Sequence, residues 1–163
     1  MTRIRTFTGK MFDLENPKAK DVDPVDIAHS LSLLCRYTGH VPSHYSVAQH
    51  SIYVSCLAPP GLRKVGLLHD ATEAYVGDMS RPLKGMLPEY KEVEDRVWLS
   101  IAERFNFDPL LIHRVKEADM TVFHWEMRDL WGVPAPNGFS LPTEKVVPLS
   151  ADLAEQVFLG SLG

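Results

Sequence analysis

Proline spacing sets the frame of this chain. Pro24, Pro59-Pro60, Pro82, Pro88 and Pro109 each stand where a helix must begin or stop, because the ring fixes φ and removes a backbone donor. Between these marks the apolar residues recur at helical spacing. Asp23-Pro24 predicts an N-cap and first helical residue, with Ile27, Leu31 and Leu34 on one face and an end near Tyr37-Thr38-Gly39. Ser46 caps a second helix reaching Leu57, with Val47, Ile52 and Val54 as apolar positions, broken by Pro59-Pro60-Gly61. A third runs from Leu62 to Val76 with Val65, Leu67, Leu68 and Ala71 inward and Gly77 as its C-cap. Pro82 and Pro88 bracket a short irregular segment. Tyr90 to Phe105 is a fourth helix on Val93, Val97, Ile101 and Phe105. Asp108-Pro109 opens a fifth that continues to Leu130, ended by Gly132 and Pro134. Residues 133–149 hold four prolines and read as extended. Ser150 caps a last helix carrying Leu153, Val157 and Phe158. Ahead of all this, Ile4 to Thr8 and Met11 to Leu14, around Gly9-Lys10, read as a short hairpin closed by Asn16-Pro17. The expectation is an all-α bundle of about six helices with a small N-terminal β-hairpin. It forms one domain over 1–163: hairpin extension 1–22, helical core 24–130, and loop plus helix 133–163.

The chain has 163 residues, room for one sizeable core. A formal net charge of −4 disfavours sequence-independent binding to a nucleic-acid polymer, which wants a basic surface, but leaves room for a small anion held by a few cations. The two cysteines, Cys35 and Cys56, lie in no CxxC and read as free thiols in a reducing compartment. No apolar run reaches membrane-spanning length. Arg3, Arg5 and Lys10 are followed by no apolar block, so a cytoplasmic protein without membrane association is expected.

The chemistry concentrates in Leu67–Lys84, LLHDATEAYVGDMSRPLK. Adjacent His69 and Asp70 offer two ligands that divalent metals accept. On a regular helix Glu73 lies one turn further and shares their face. Two more ligands must come from elsewhere. His50 lies inside the second helix, and Asp119 inside the fifth, flanked by Ala118, Met120 and Val122. A mid-helix Asp is poorly placed for capping, and a half-buried carboxylate needs a partner that a metal supplies.

His50, the His69-Asp70 doublet and Asp119, in order on successive helices, resemble the H…HD…D signature of HD-domain phosphohydrolases. Glu73 after the doublet, then Gly77-Asp78, Pro82 and Lys84, and Arg36 upstream of the first His, resemble the 5′-deoxynucleotidase branch over roughly residues 24–130. The resemblance implies one divalent ion (Mn, Co, Zn, Fe or Mg) on His50, His69, Asp70 and Asp119, and a homodimer. With it go a Glu73 that orients the groups around the ion or the attacking water, an Asp78 that protonates the leaving oxygen (the favoured role) or positions the water, an Arg36 that holds the phosphate with Lys84 as a second candidate, and a Tyr37 beside the sugar where that branch has Trp. The implied activity is phosphate release from 5′-(deoxy)nucleoside monophosphates, a small-molecule nucleotide being the only partner needed. Alternatives are a dNTP triphosphohydrolase, a two-metal cyclic-nucleotide phosphodiesterase drawing on His40 and His44, and a non-catalytic metal module that senses a nucleotide. Glu126, two turns past Asp119, faces the same site or forms an ordinary ion pair, the latter being the plainer expectation. His29, His113 and His124 are read as surface or internally satisfied residues, a solvated loop is the plainer expectation for Arg81 and Lys84, and Trp98, Trp125 and Trp131 are read as exposed and hinting at an interface.

Overall fold

In the computed structural model, residues 2–163 are described; residue 1 lies outside them. A two-stranded antiparallel hairpin, β1 (Arg3–Arg5) and β2 (Met11–Asp13), leads into α1 (Pro24–Leu33) and α2 (Val47–Leu57). Next come α3 (Arg63–Leu68), α4 (Glu73–Val76), α5 (Arg81–Lys84), α6 (Pro88–Phe105), α7 (Lys116–Trp131) and α8 (Ala151–Leu162). The fold is all-α with a small hairpin, as expected, but its helices are divided more finely than their periodicity indicates.

The locally encoded ends hold. Asp23 accepts from the Val25 amide, Ser46 from Gln49 and Ser150 from Leu153, each satisfying an orphan donor of the first turn. Four expectations need correction. The first helix stops at Leu33, because an antiparallel bridge between Cys35 and Ser46 pulls the next residues into extended backbone. The expected third helix is interrupted at residues 69–72, where amides bond back three residues instead of four (Ala71 to Leu68, Glu73 to Asp70). The fifth is split into a 3₁₀ segment, Pro109–Arg114, and α7, so Asp119 lies in the first turn of α7 and not in mid-helix. The single turn α5 runs from Arg81 into the segment between Pro82 and Pro88, and α6 begins at Pro88.

The hairpin is more than a decoration. Phe12 is fully buried and stacks on Tyr75 at 3.9 Å, and the buried Asp26 accepts from the Thr8 amide (2.6 Å) and hydroxyl (2.9 Å). At the centre, α2 packs on α1, α3, α7 and α8, and Val47 to Ile52 are all buried, as befits a helix covered on every side. That is why a polar residue on α2 needs an internal partner. Gln49 shows the rule: its amide bonds Tyr53, the Val147 carbonyl and the Leu149 amide, tying the proline-rich segment down.

Gly66 lets α3 approach α2. A Cβ there would sit 3.1 Å from the Val54 oxygen and the Ala58 methyl and 3.2 Å from the Ser55 Cα. Gly66→Val should destabilise the fold by about 1–3 kcal/mol through overpacking, measured by urea denaturation. Because the Gly66 carbonyl also holds His69, the variant should lose metal affinity as well.

Candidate metal centre

His50 is fully buried on α2, and His69 follows the last residue of α3. The Nδ1 of His50 lies 2.7 Å from Glu126 Oε1, and that of His69 lies 2.7 Å from the Gly66 carbonyl. Each of these partners is an oxygen acceptor, so each Nδ1 carries the proton and each Nε2 presents a lone pair. The two Nε2 atoms then face one another at 3.3 Å. Two lone pairs at that distance repel unless a cation stands between them. Asp119 Oδ1 lies 3.1 Å from the His50 Nε2 and 3.7 Å from that of His69; Asp70 Oδ2 lies 3.2 Å from His69 and 3.7 Å from His50. The donor atoms of His50, His69 and Asp119 all fall within 4.8 Å of one another, so this group can hold a metal ion, and Asp70 faces the same point. Imidazole nitrogen with carboxylate oxygen is a donor set that fits a divalent transition ion.

Electrostatics agrees. Burial works against a charge on His69, yet Asp70 and Asp119 outweigh it and lift the imidazole well above its ordinary value. Burial and the Arg36 guanidinium oppose charging His50, but Glu126 and Asp119 prevail and the shift is again upward. Despite burial, the two imidazoles hold Asp70 and Asp119 below the usual carboxylate range. The metal-free cluster therefore gathers protons, and a bound ion would displace them.

Glu126 is the residue that sequence reasoning undervalued. Its carboxylate is completely buried on α7. One oxygen accepts from His50 and from the Tyr45 hydroxyl at 2.8 Å; the other accepts from Arg36 Nη2 at 3.3 Å and from the Tyr37 hydroxyl. This is no ordinary surface ion pair. Burial raises the carboxyl's proton affinity, but Arg36 and His50 reverse the effect and keep it ionised, at about 2. Tyr37 and Thr38 both have positive φ (57° and 55°), followed by Gly39 at 78°, a left-handed run that costs non-glycine residues about 1–2 kcal/mol each. The strain places Arg36 and Tyr37 against Glu126, a pattern found where function over-determines the backbone.

A cleft of about 400 Å³ opens on Asp70 and Asp119, and Arg36, Tyr37, Glu73, Asp78 and Lys84 all line it. The residues singled out from the sequence thus converge. Glu73 is buried rather than an exposed helix residue, and its Oε2 and the Arg36 Nε have no hydrogen-bond partner. Burial, with Asp70 and Asp78 as negative neighbours, lifts Glu73 well above the usual range; burial also raises Asp78. Lys84 pairs with Glu94 at 2.7 Å and stands 3.9 Å from Glu73, so it is not a free loop lysine.

Other residues fall elsewhere. His40 is exposed, and His44 bonds the Ser32 carbonyl at 2.9 Å. His29 bonds Glu155 and stacks on Phe7. Among the described residues, the only cluster with metal-ligand spacing is the one above. Trp98 and Trp125 are buried, and of the three only Trp131 is exposed, so the three tryptophans do not share an exposed surface. No helix among the described residues is long and apolar enough to cross a membrane.

No protein-family model matches the chain. It is 38% identical over 170 residues to the uncharacterized protein YfdR of Escherichia coli strain K12, a match covering 98% of this chain and 93% of the relative. An uncharacterized protein of Rhodobacter capsulatus is 36% identical over 124 residues, 70% of this chain and 63% of that protein. The first similarity runs through nearly the whole of both chains, so this protein belongs to the YfdR family.

Proposed function

We propose that the chain is a metal-dependent phosphohydrolase of the HD-domain type that releases phosphate from 5′-(deoxy)nucleoside monophosphates. The observation that carries this reading is the pair of facing imidazole nitrogens with two carboxylates, open on a cleft that also holds a guanidinium and two carboxyls of raised proton affinity. A divalent ion on His50, His69, Asp70 and Asp119 supplies Lewis-acid activation of water and of a phosphoryl oxygen. Mn, Co, Zn, Fe and Mg remain candidates for that ion.

The other tasks belong to the chain itself. Arg36, kept charged by Glu126 and Asp70, holds the non-bridging phosphate oxygens, and its unpartnered Nε is a donor awaiting an acceptor. Tyr37 is fixed through its hydroxyl, leaving its ring as a wall of the cleft beside the sugar. Glu73 Oε2, buried and unpartnered, accepts a proton from the attacking water. Asp78 hands one to the leaving 5′-oxygen, so the proton count balances. Lys84, 3.9 Å from Glu73, favours its ionised form against the burial and negative neighbours that raise it, and supports the phosphate. A reading as a metal-held sensor without turnover leaves the buried, unpartnered Glu73 Oε2 beside the cluster without a role.

The test is a panel. The chain is stripped of metal, resupplied with Mn²⁺, Co²⁺, Zn²⁺, Fe²⁺ or Mg²⁺, and assayed for phosphate release from mono- and triphosphates side by side. Restored turnover on monophosphates is expected, together with a stabilisation of about 2.7 kcal/mol at a hundredfold excess of metal over Kd. Triphosphate release from dNTPs would move the reading to the triphosphohydrolase. No turnover with any ion, alongside a nucleotide-induced rise in Tm, would sink the enzyme reading.

A further inference from the structure

A second cavity, of about 490 Å³, shares Asp70, Lys84 and Asp119 with the polar cleft, so the two spaces meet at the metal cluster. The chemistry of its walls is different. Trp98, Leu99, Leu110 and Ile112 give it an apolar surface. Leu99 is 56% exposed and Leu110 68%, large side chains left uncovered beside a reactive centre. Its charges offer no surplus for an anion: Asp70, Glu94, Asp95 and Asp119 face Lys84, Lys91 and Lys116, with Lys84 tied to Glu94 and Lys91 to Asp95. A flat, uncharged group suits such a space, and its volume lies in the range of small-ligand pockets. His113, also on the wall, offers a ring nitrogen to the polar edge of such a group.

We propose that this cavity is the nucleobase subsite. It rests on the nucleotide reading above and deepens it. The phosphate and sugar lie in the polar cleft with Arg36, and the base lies against Leu99, Leu110 and Ile112 on the far end of the same substrate. The two cavities match the two ends of a nucleotide, one charged and one aromatic. A sugar phosphate without a base fills only the first.

The measurement is equilibrium binding of 2′-deoxyadenosine, and separately of inorganic phosphate, to the full chain in the presence of Mn²⁺. Leu110→Glu and Leu99→Glu are compared with the wild type. Both positions are solvent-facing, so each variant should keep the wild-type Tm, which is measured alongside. A carboxylate forced against the base should weaken nucleoside binding about tenfold or more and leave phosphate binding unchanged. The proposal is overturned by a wild type that binds no nucleoside, by nucleoside binding that neither folded variant weakens, or by equal losses for nucleoside and phosphate. Nucleoside binding that behaves as expected without turnover of any nucleotide would leave the subsite standing and remove the hydrolase reading instead. Turnover of monophosphates with nucleoside binding insensitive to both variants would do the reverse.

Discussion

Asp70→Ala is expected to abolish both metal retention and phosphate release, whereas Glu73→Ala abolishes release and keeps the metal. The difference follows from where the two carboxylates stand. Asp70 Oδ2 lies 3.2 Å from one imidazole nitrogen and 3.7 Å from the other, facing the point where the cluster can hold an ion. Glu73 lines the adjoining cleft, with a buried oxygen that nothing in the protein satisfies. Loss of a positioned proton acceptor costs about 10²–10⁴-fold in rate, while loss of a ligand removes the ion itself. Metal content by elemental analysis and steady-state kinetics on the same preparations separate the two. Near-wild-type turnover in Glu73→Ala would show that its role is assigned wrongly.

Glu126→Ala should be the most damaging substitution for the fold. Among the described residues its carboxylate is the only counter-charge that the Arg36 Nη2 reaches, and it also satisfies two tyrosine hydroxyls and the His50 Nδ1. Removing one partner from a buried charged group typically costs about 3–5 kcal/mol, because the guanidinium left behind stays desolvated. Urea denaturation reads that loss. Glu126→Gln keeps the shape and an acceptor for His50, so its stability loss should be smaller. It should still weaken metal affinity about 10–100-fold, the usual effect of disturbing the partner that orients a ligating histidine. An unchanged metal Kd in Glu126→Gln would mean that the carboxylate serves packing alone.

The caps at Asp23, Ser46 and Ser150 were legible because their signals are local: a short polar side chain reaches an amide two or three residues on. The break at residues 69–72 was not, since Leu62 to Val76 carries a continuous helical pattern. What tightens the chain there accompanies a local side-chain bond, His69 Nδ1 to the Gly66 carbonyl three residues back, that hydrophobic periodicity does not encode. His50, His69 and Asp119, the group that can hold a metal ion, could be singled out in advance because imidazole and carboxylate chemistry is specific to residue type. Glu126 was undervalued for the opposite reason: glutamate is among the commonest residues on helix surfaces. A signal did exist. Glu126 stands seven positions after Asp119, hence on the same helical face, and follows Trp125, which is buried. The left-handed turn at Tyr37-Thr38 left no trace, since neither residue favours it and only Gly39 belongs there by preference.

The Glu126 carboxylate also bears on how the chain can reach this state. Its donors lie 76, 81, 89 and 90 residues away along the sequence, so every one of these contacts is non-local. Desolvating a carboxylate is tolerable only once its donors are present, so α7 gains nothing by docking its acidic face before α2 and the turn at Arg36 are in place. A fragment ending before α7 would hold His50, His69 and Asp70 but neither Asp119 nor the carboxylate that orients His50, so the cluster is complete only once α7 has docked.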